Sequence, residues 1–255
     1  MKKKFQSQLL PWILPILVLG IWQITSMVGI VSPSLFPAPT VVLASLWEML
    51  SSGELLEHIQ ISLYRAFVGL IIGGVIGLIL GVLNGWSRVS FLTFDTSIQM
   101  VRNIPHLALL PLAIVWMGIG ETSKIFLVAL GVMFPIYINT LHGIRSVDPG
   151  FIEMGKMYGL RGWQLFRHIY LPGALPSIFV GFRYALGVMW LTLIVAETIA
   201  TSEGLGYLAM NARQFMQTDV IIVTVLLYAL FGKLADVIAQ FGEKRSLRWH
   251  PNYRN

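Results

Sequence analysis

The chain has no cysteine, which excludes disulfide staples and thiolate metal sites. Charge is also scarce. Charged residues make up 12% of the sequence, where a soluble domain carries roughly a quarter. The histidines His58, His106, His142, His168 and His250 stand at no metal-ligand spacing, so no metal site is read. No Gly-x-x-x-x-Gly-Lys-Ser/Thr pattern occurs, so the chain lacks that nucleotide cradle. What is present is apolar: 56% of the residues are hydrophobic. They fall in runs of roughly 20, the length that crosses a hydrocarbon core of about 30 Å. The net charge of +6 at pH 7 comes from Lys and Arg flanking those runs. It speaks for orientation in a membrane, not for nucleic acid.

Six spans are predicted, at 9–28, 65–86, 97–118, 123–144, 174–197 and 219–241. Met1-Lys2-Lys3-Lys4 before an apolar run resembles a secretory signal. However, the run from Leu9 to Val28 is too long for a signal core, and no small-x-small cleavage site follows. It is read as a retained first span with its amino end in the cytoplasm. Inside segments then hold Lys2, Lys3, Lys4, Arg88, Arg145, Lys156, Arg161, Arg167, Lys244, Arg245, Arg248 and Arg254. Outside segments hold only Lys124 and Arg213, with Arg65 at a boundary. This asymmetry satisfies the positive-inside rule. It places both termini and the 146–173 loop in the cytoplasm of a multi-pass plasma-membrane protein. The expectation is one transmembrane domain over 1–255.

Three segments carry local signals. From Ser32 to Ile61, Pro33, Pro37 and Pro39 precede Val41, Val42, Leu46, Met49 and Leu50 at near-helical spacing. This predicts a short amphipathic helix at the outer interface. The second span places Gly69, Gly73, Gly77, Gly81 and Gly85 four residues apart. Such a stripe lets another helix approach closely, either one of the chain's own or one from a second subunit. The third span is interrupted by Pro105 and Pro111. Arg102, Asn103 and His106 cluster at the first break and are candidates for the wall of a substrate path. Snorkelling of Arg102 to the inner surface is the alternative. Arg183, about 13 Å into the fifth span by helical rise, is a further path candidate or an intrabundle ion pair. Glu197 lies near the outer end of that span and is expected to meet an external partner or Arg213.

The inside loop is the most informative stretch. Asp148-Pro149 is a helix start, and Glu153 to Leu160 gives about two turns of helix. Gly159 can end it by adopting the left-handed conformation. Leu171-Pro172-Gly173 is expected to break the chain before the fifth span, with a second short helix between. The set Glu153, Met154, Gly155, Met157, Tyr158, Gly159, Leu160, Leu171 and Pro172 resembles the cytoplasmic loop of ATP-binding-cassette import permeases. The stretches Asp95–His106, Phe134–Thr140, Leu171–Ser177 and Trp190–Glu197 resemble the nitrate, sulfonate and taurine group of those permeases. Gly206–Ala212 and Gly232–Asp236 add to the match, which runs from about Pro11 to Tyr253 and is nearest to aliphatic sulfonate permeases. The wider family carries Glu-Ala-Ala where this chain has Glu153-Met154-Gly155.

The resemblance implies an all-α membrane protein with six transmembrane helices, the type I importer permease fold and a cytoplasmic coupling helix. It implies a homodimer, two copies of an ATPase subunit that bind ATP and magnesium, and an extracytoplasmic sulfonate-binding protein. It implies no cofactor on this chain and no catalytic residue. Taurine, nitrate or another small organic anion is the alternative cargo. A secondary transporter would show inverted repeats and more intramembrane carboxylates. A membrane-embedded enzyme would need a nucleophile-base pair or a metal cluster within the bilayer.

Overall fold

The structure is a computed structural model that describes residues 2–29, 32, 34–199 and 201–249; side chains are described from Ile13 onward. The lysines at 2–4, Pro33, His250 and Arg254, used above, therefore have no described side chain or lie outside these residues. Every regular element among the described residues is helical. The helices are α1 (Lys2–Met27), α2 (Pro39–Ser52), α3 (Glu54–Trp86), α4 (Arg88–Arg102) and α5 (Leu110–Met117). They continue with α6 (Glu121–Arg145), α7 (Pro149–Met157), α8 (Gly162–Leu165), α9 (Leu171–Thr198), α10 (Leu205–Gln214) and α11 (Thr218–Ser246).

Four stretches are long and apolar enough to cross a membrane: Glu54–Trp86, Glu121–Arg145, Gly162–Thr198 and Thr218–Ser246. In α1 the described apolar stretch is Ile13–Met27. The expected interruption of the third span falls at Pro105. No single helix covers 97–118; α4 and the segment His106–Met117 meet at a 79° bend. Pro105 lacks a backbone N–H and disfavours helix at the residue before it. The expectation that falls is the break at Leu171-Pro172. Helix runs without interruption from Gly162 to Thr198, because Phe166–Tyr170 forms a π turn. The Leu171 N–H bonds to the Phe166 carbonyl, so the hydrogen-bond register shifts just before Pro172, and the π turn accommodates a residue that has no N–H to give.

The chain divides into two compact units. One comprises Met1–Gln60 and Ser202–Tyr228. In it Trp22 Nε1 donates to the Pro37 carbonyl at 3.0 Å and Ser26 Oγ to that of Phe36 at 2.8 Å. The expected amphipathic helix is α2, with Val42 and Met49 buried and Val41, Leu43 and Trp47 exposed. Ser45 donates to Asp219, and the Gly204 N–H donates to His58 Nδ1 at 3.1 Å.

The other unit comprises Ile61–Thr201 and Ala229–Asn255. Its centre is α6, packed on α9 and on the glycine stripe of α3. A Cβ added at Gly69 would lie 2.5 Å from Val128 Cγ1, and one at Gly77 2.5 Å from the Met133 carbonyl. At Gly81 it would meet Thr140 Cβ at 2.6 Å, at Gly85 Ile144 Cβ at 2.9 Å, and at Gly73 it would overlap the Ala129 carbonyl. The stripe therefore serves the chain's own packing, since only a residue without Cβ allows this backbone approach. A polar clamp ties α4 to the bundle. Asn84 Nδ2 donates to Tyr137 Oη at 2.8 Å, and Tyr137 Oη donates to Asp95 at 2.6 Å. Ser90 Oγ donates to Asn84 Oδ1 at 2.6 Å, and the Arg145 guanidinium lies 3.5 Å over the Phe91 ring.

Candidate functional site

The 146–173 segment folds as a helix, a capped turn and a return. Asp148 accepts from the Gly150 N–H at 2.7 Å, an N-cap with Pro149 at the first helical position. At the other end Leu160 N–H bonds to the Gly155 carbonyl at 3.0 Å, and Gly159 N–H to that of Lys156 at 2.9 Å. This is the Schellman pair, with Gly159 at φ +82° in the left-handed position. The expected termination at Gly159 is what the backbone does.

Around α7 the residues divide by face. Phe151, Glu153, Met154, Lys156, Met157 and Tyr158 point outward, with Met157 88% and Tyr158 82% exposed. This face sets apolar side chains beside charged ones on one exposed surface. Gly155 faces the other way. It is buried, and an added Cβ would lie 2.9 Å from Leu165 Cδ1 and 3.1 Å from Ile169 Cγ1. The departure from Glu-Ala-Ala therefore falls on the inner face of α7. Leu160 is half-buried behind the turn, and Leu171 and Pro172 lie within the continuous helix. The segment is anchored by aromatic contacts: Trp163 stacks on Phe166 at 5.2 Å, and Phe166 lies 5.2 Å from Trp86 at the end of α3.

The path candidates do not converge. Arg102 is exposed on the last turn of α4, where a cation complements the helix dipole. Asn103 is exposed and caps that helix through its N–H to the Gln99 carbonyl at 3.2 Å. His106 is half-buried and its Nε2 lies 3.0 Å from Thr192 Oγ1 on α9. No hydrogen bond or ion pair joins these three among the described residues. Arg183 is held by Asp236, with Nε and one terminal nitrogen each 3.0 Å from Oδ1, and lies 3.4 Å from Glu243.

One charged cluster was missed from sequence, and of a second only Arg183 was read, with an intrabundle ion pair as one alternative. In one, Arg65 Nε and a terminal nitrogen grip Glu121 at 2.6 and 2.7 Å, and its other terminal nitrogen reaches Glu197 at 2.8 Å. Ser62 Oγ donates to both Glu197 oxygens at 2.9 Å. Glu197 is thus fully buried, which corrects the expectation that it meets an external partner. The second cluster lies on α11. Lys233, Asp236, Gln240 and Glu243 recur at i, i+3, i+7 and i+10, a spacing that puts them along one side of a helix. That spacing was the available signal. By contrast, the cleft of about 400 Å³ among α3, α6 and α9 is lined by Leu70, Gly74, Ile136, Ile178, Phe179 and Phe182 and offers an anion nothing.

Comparison with known proteins agrees with this geometry. Residues 73–248 match the family described as binding-protein-dependent transport system inner membrane component. The aliphatic sulfonates transport permease protein SsuC of Escherichia coli K12 is 58% identical over 98% of this chain and 95% of its own length. Its namesake in Bacillus subtilis 168 is 42% identical over 94% and 87%. The taurine transport system permease protein TauC of Escherichia coli K12 is 33% identical over 91% and 86%. Among solved structures, an amino acid ABC transporter chain superimposes with a TM-score of 0.64 at 18% identity, covering 78% of this chain and 97% of that one. This all-helical, multi-span chain belongs to the binding-protein-dependent transport system inner membrane component family, the permease subunits of ATP-binding-cassette importers.

Proposed function

We propose that this chain forms the membrane path of an importer for aliphatic sulfonates. Members of its family are permease subunits, and ATP hydrolysis belongs to a separate subunit. The observation that carries the cargo is similarity: 58% identity over nearly the whole chain to a relative named for aliphatic sulfonates, against 33% to one named for taurine. The outward face of α7 supports a docking role. Phe151, Glu153, Met154, Met157 and Tyr158 present apolar and charged groups together, and the Gly159 cap holds them in place. In this reading two copies pair as a homodimer in the lipid of the inner membrane. Each copy seats one ATPase subunit carrying ATP and magnesium, and an external binding protein delivers the anion. The Lys and Arg asymmetry supports cytoplasmic termini and a cytoplasmic 146–173 segment. ATP-driven closure of the ATPase pair then moves α7, and the α8–α9 helix carries that motion into the bilayer.

Reconstitution with the ATPase and binding protein in vesicles tests this. ATP-dependent uptake of labelled ethanesulfonate is expected, unaffected by a protonophore and lost in Gly159→Pro. That variant cannot hold φ +82°. Uptake of taurine or nitrate but not ethanesulfonate would reassign the cargo, and uptake driven by an ion gradient would overturn the mechanism.

A further inference from the structure

The inner half of α11 carries charge at a depth where charge is costly. Lys233 lies eleven residues before Lys244, about 16 Å along the helix. A lysine side chain that snorkels covers only part of that distance. Asp236 and Gln240 lie on the same side nearer the inner end, and Val220 to Gly232, toward the other end, carries no charge. Across from this stripe stands Arg183 of α9, twelve residues from Leu171.

These groups are not sealed. The side chains of Lys233, Arg183 and Asp236 are 70%, 37% and 33% exposed on the single chain. Ionisable residues within membrane spans face a bundle interior or a water-filled cavity, because lipid does not tolerate them. A face with this composition fits a wetted wall, and the stripe ends at Lys233. The partners divide unevenly. Asp236 accepts from Arg183 and, at 2.8 Å, from Gln240. Arg183 is bound to Asp236 and Glu243. Among the described residues Lys233 has one ion-pair contact, 3.7 Å to Asp236 Oδ2. Its ammonium is the least committed charge in the cluster.

We propose that Lys233 is an anion-binding residue of the translocation path, with the α11 stripe as the wall that leads to it. Its ligand is a small organic anion with a permanently charged head, of the sulfonate type. The Arg183–Asp236–Gln240 arrangement is a positioning frame that keeps Arg183 from trapping the anion. A path must bind weakly enough to release, and one ammonium balanced by a nearby carboxylate meets that condition. This inference rests on the importer reading above.

The absence of native cysteine in this chain makes the test direct. Lys233→Cys is assembled with the ATPase and binding protein in vesicles, beside the unaltered complex. Uptake of labelled ethanesulfonate is expected to fall about tenfold or more, the loss for one charge-assisted contact. Modification of the K233C thiol by aminoethyl methanethiosulfonate, which restores an ammonium at similar reach, is expected to recover most of it. Modification by the sulfonatoethyl reagent is expected not to. Recovery by the cationic reagent alone separates a charge role from a packing role. Lys233→Cys uptake equal to that of the unaltered complex, no reaction of the thiol in any nucleotide state, or equal recovery by both reagents would overturn the proposal. Failure of the unaltered complex to import ethanesulfonate would instead overturn the importer reading on which it rests.

Discussion

Two charged clusters occupy the same compact unit and use the same chemistry, an arginine between two carboxylates. They differ in burial. Arg65 and Glu197 are 1% and 0% exposed, while Arg183 and Asp236 are 37% and 33% exposed. In the first cluster Arg65 makes three bonds of 2.8 Å or less to Glu121 and Glu197, Ser62 adds two to Glu197, and the buried Lys124 lies 3.6 Å from Glu121. It ties α3, α6 and α9 together at one end of the bundle. In the second, the lysine beside the pair, 3.7 Å from Asp236, is 70% exposed. Burial makes the first arrangement a fastening, and exposure is what the proposed anion site requires of the second. An intramembrane ion pair is thus read by what surrounds it, not by the residues that form it.

The largest effect is expected at the sealed cluster. Arg65→Met leaves Glu197 buried without its cation, a loss of about 3–5 kcal/mol. It should appear as early loss of the monodisperse peak when the detergent-solubilised complex is heated before size exclusion. The double variant Arg65→Met with Glu197→Leu should recover much of that loss, since removing both buried charges is often neutral. Equal stability of Arg65→Met and the unaltered chain would erase the distinction drawn above. A smaller effect is expected at Glu121, the rim member of the cluster, which is 48% exposed. Glu121→Gln keeps one acceptor for Arg65 while Glu197 still holds the guanidinium, so about 1 kcal/mol is expected in the same assay. A loss as large as that of Arg65→Met would mean that Glu121 is a buried partner in the assembled complex.

The same contrast shows what sequence could and could not reveal. Local chemistry was legible. Asp148-Pro149 opens α7, Gly159 closes it, and the four-residue glycine period of α3 meets the carbonyls and side chains of α6. Long-range pairing was not. Glu197 looked like an exposed residue at a span end because Arg65, 132 positions earlier, supplies its partner. The 79° bend after α4 has a local cause in Pro105. Its setting depends on Tyr137, Asn84 and Arg145, whose contacts to α4 no local pattern encodes. Leu171-Pro172 read as a break because proline usually ends a helix, yet the π turn before it absorbs the missing donor. Arg102, Asn103 and His106 share a short segment but make separate contacts.

The smallest effect on stability is expected at the open cluster, and it comes with a large effect on transport. Asp236→Asn keeps the shape of the side chain and a hydrogen-bond acceptor for Arg183 but removes the charge. Half-exposed pairs contribute about 0–1 kcal/mol, so the heated complex should elute much like the unaltered one. Arg183 would then be held mainly by Glu243, at 3.4 Å, and Lys233 would lose the carboxylate that moderates its charge. Both cations should hold a passing sulfonate more tightly. Tighter holding lowers the concentration at which uptake saturates and slows the maximal rate, because release becomes limiting. Initial uptake rates across a series of binding-protein concentrations separate the two parameters. A fall in both half-saturation and maximal rate, with unchanged thermal stability, is the expected outcome. A large loss of stability, or a maximal rate unchanged from that of the unaltered complex, would place the Arg183–Asp236 pair with the fastening at Arg65 instead of with the path.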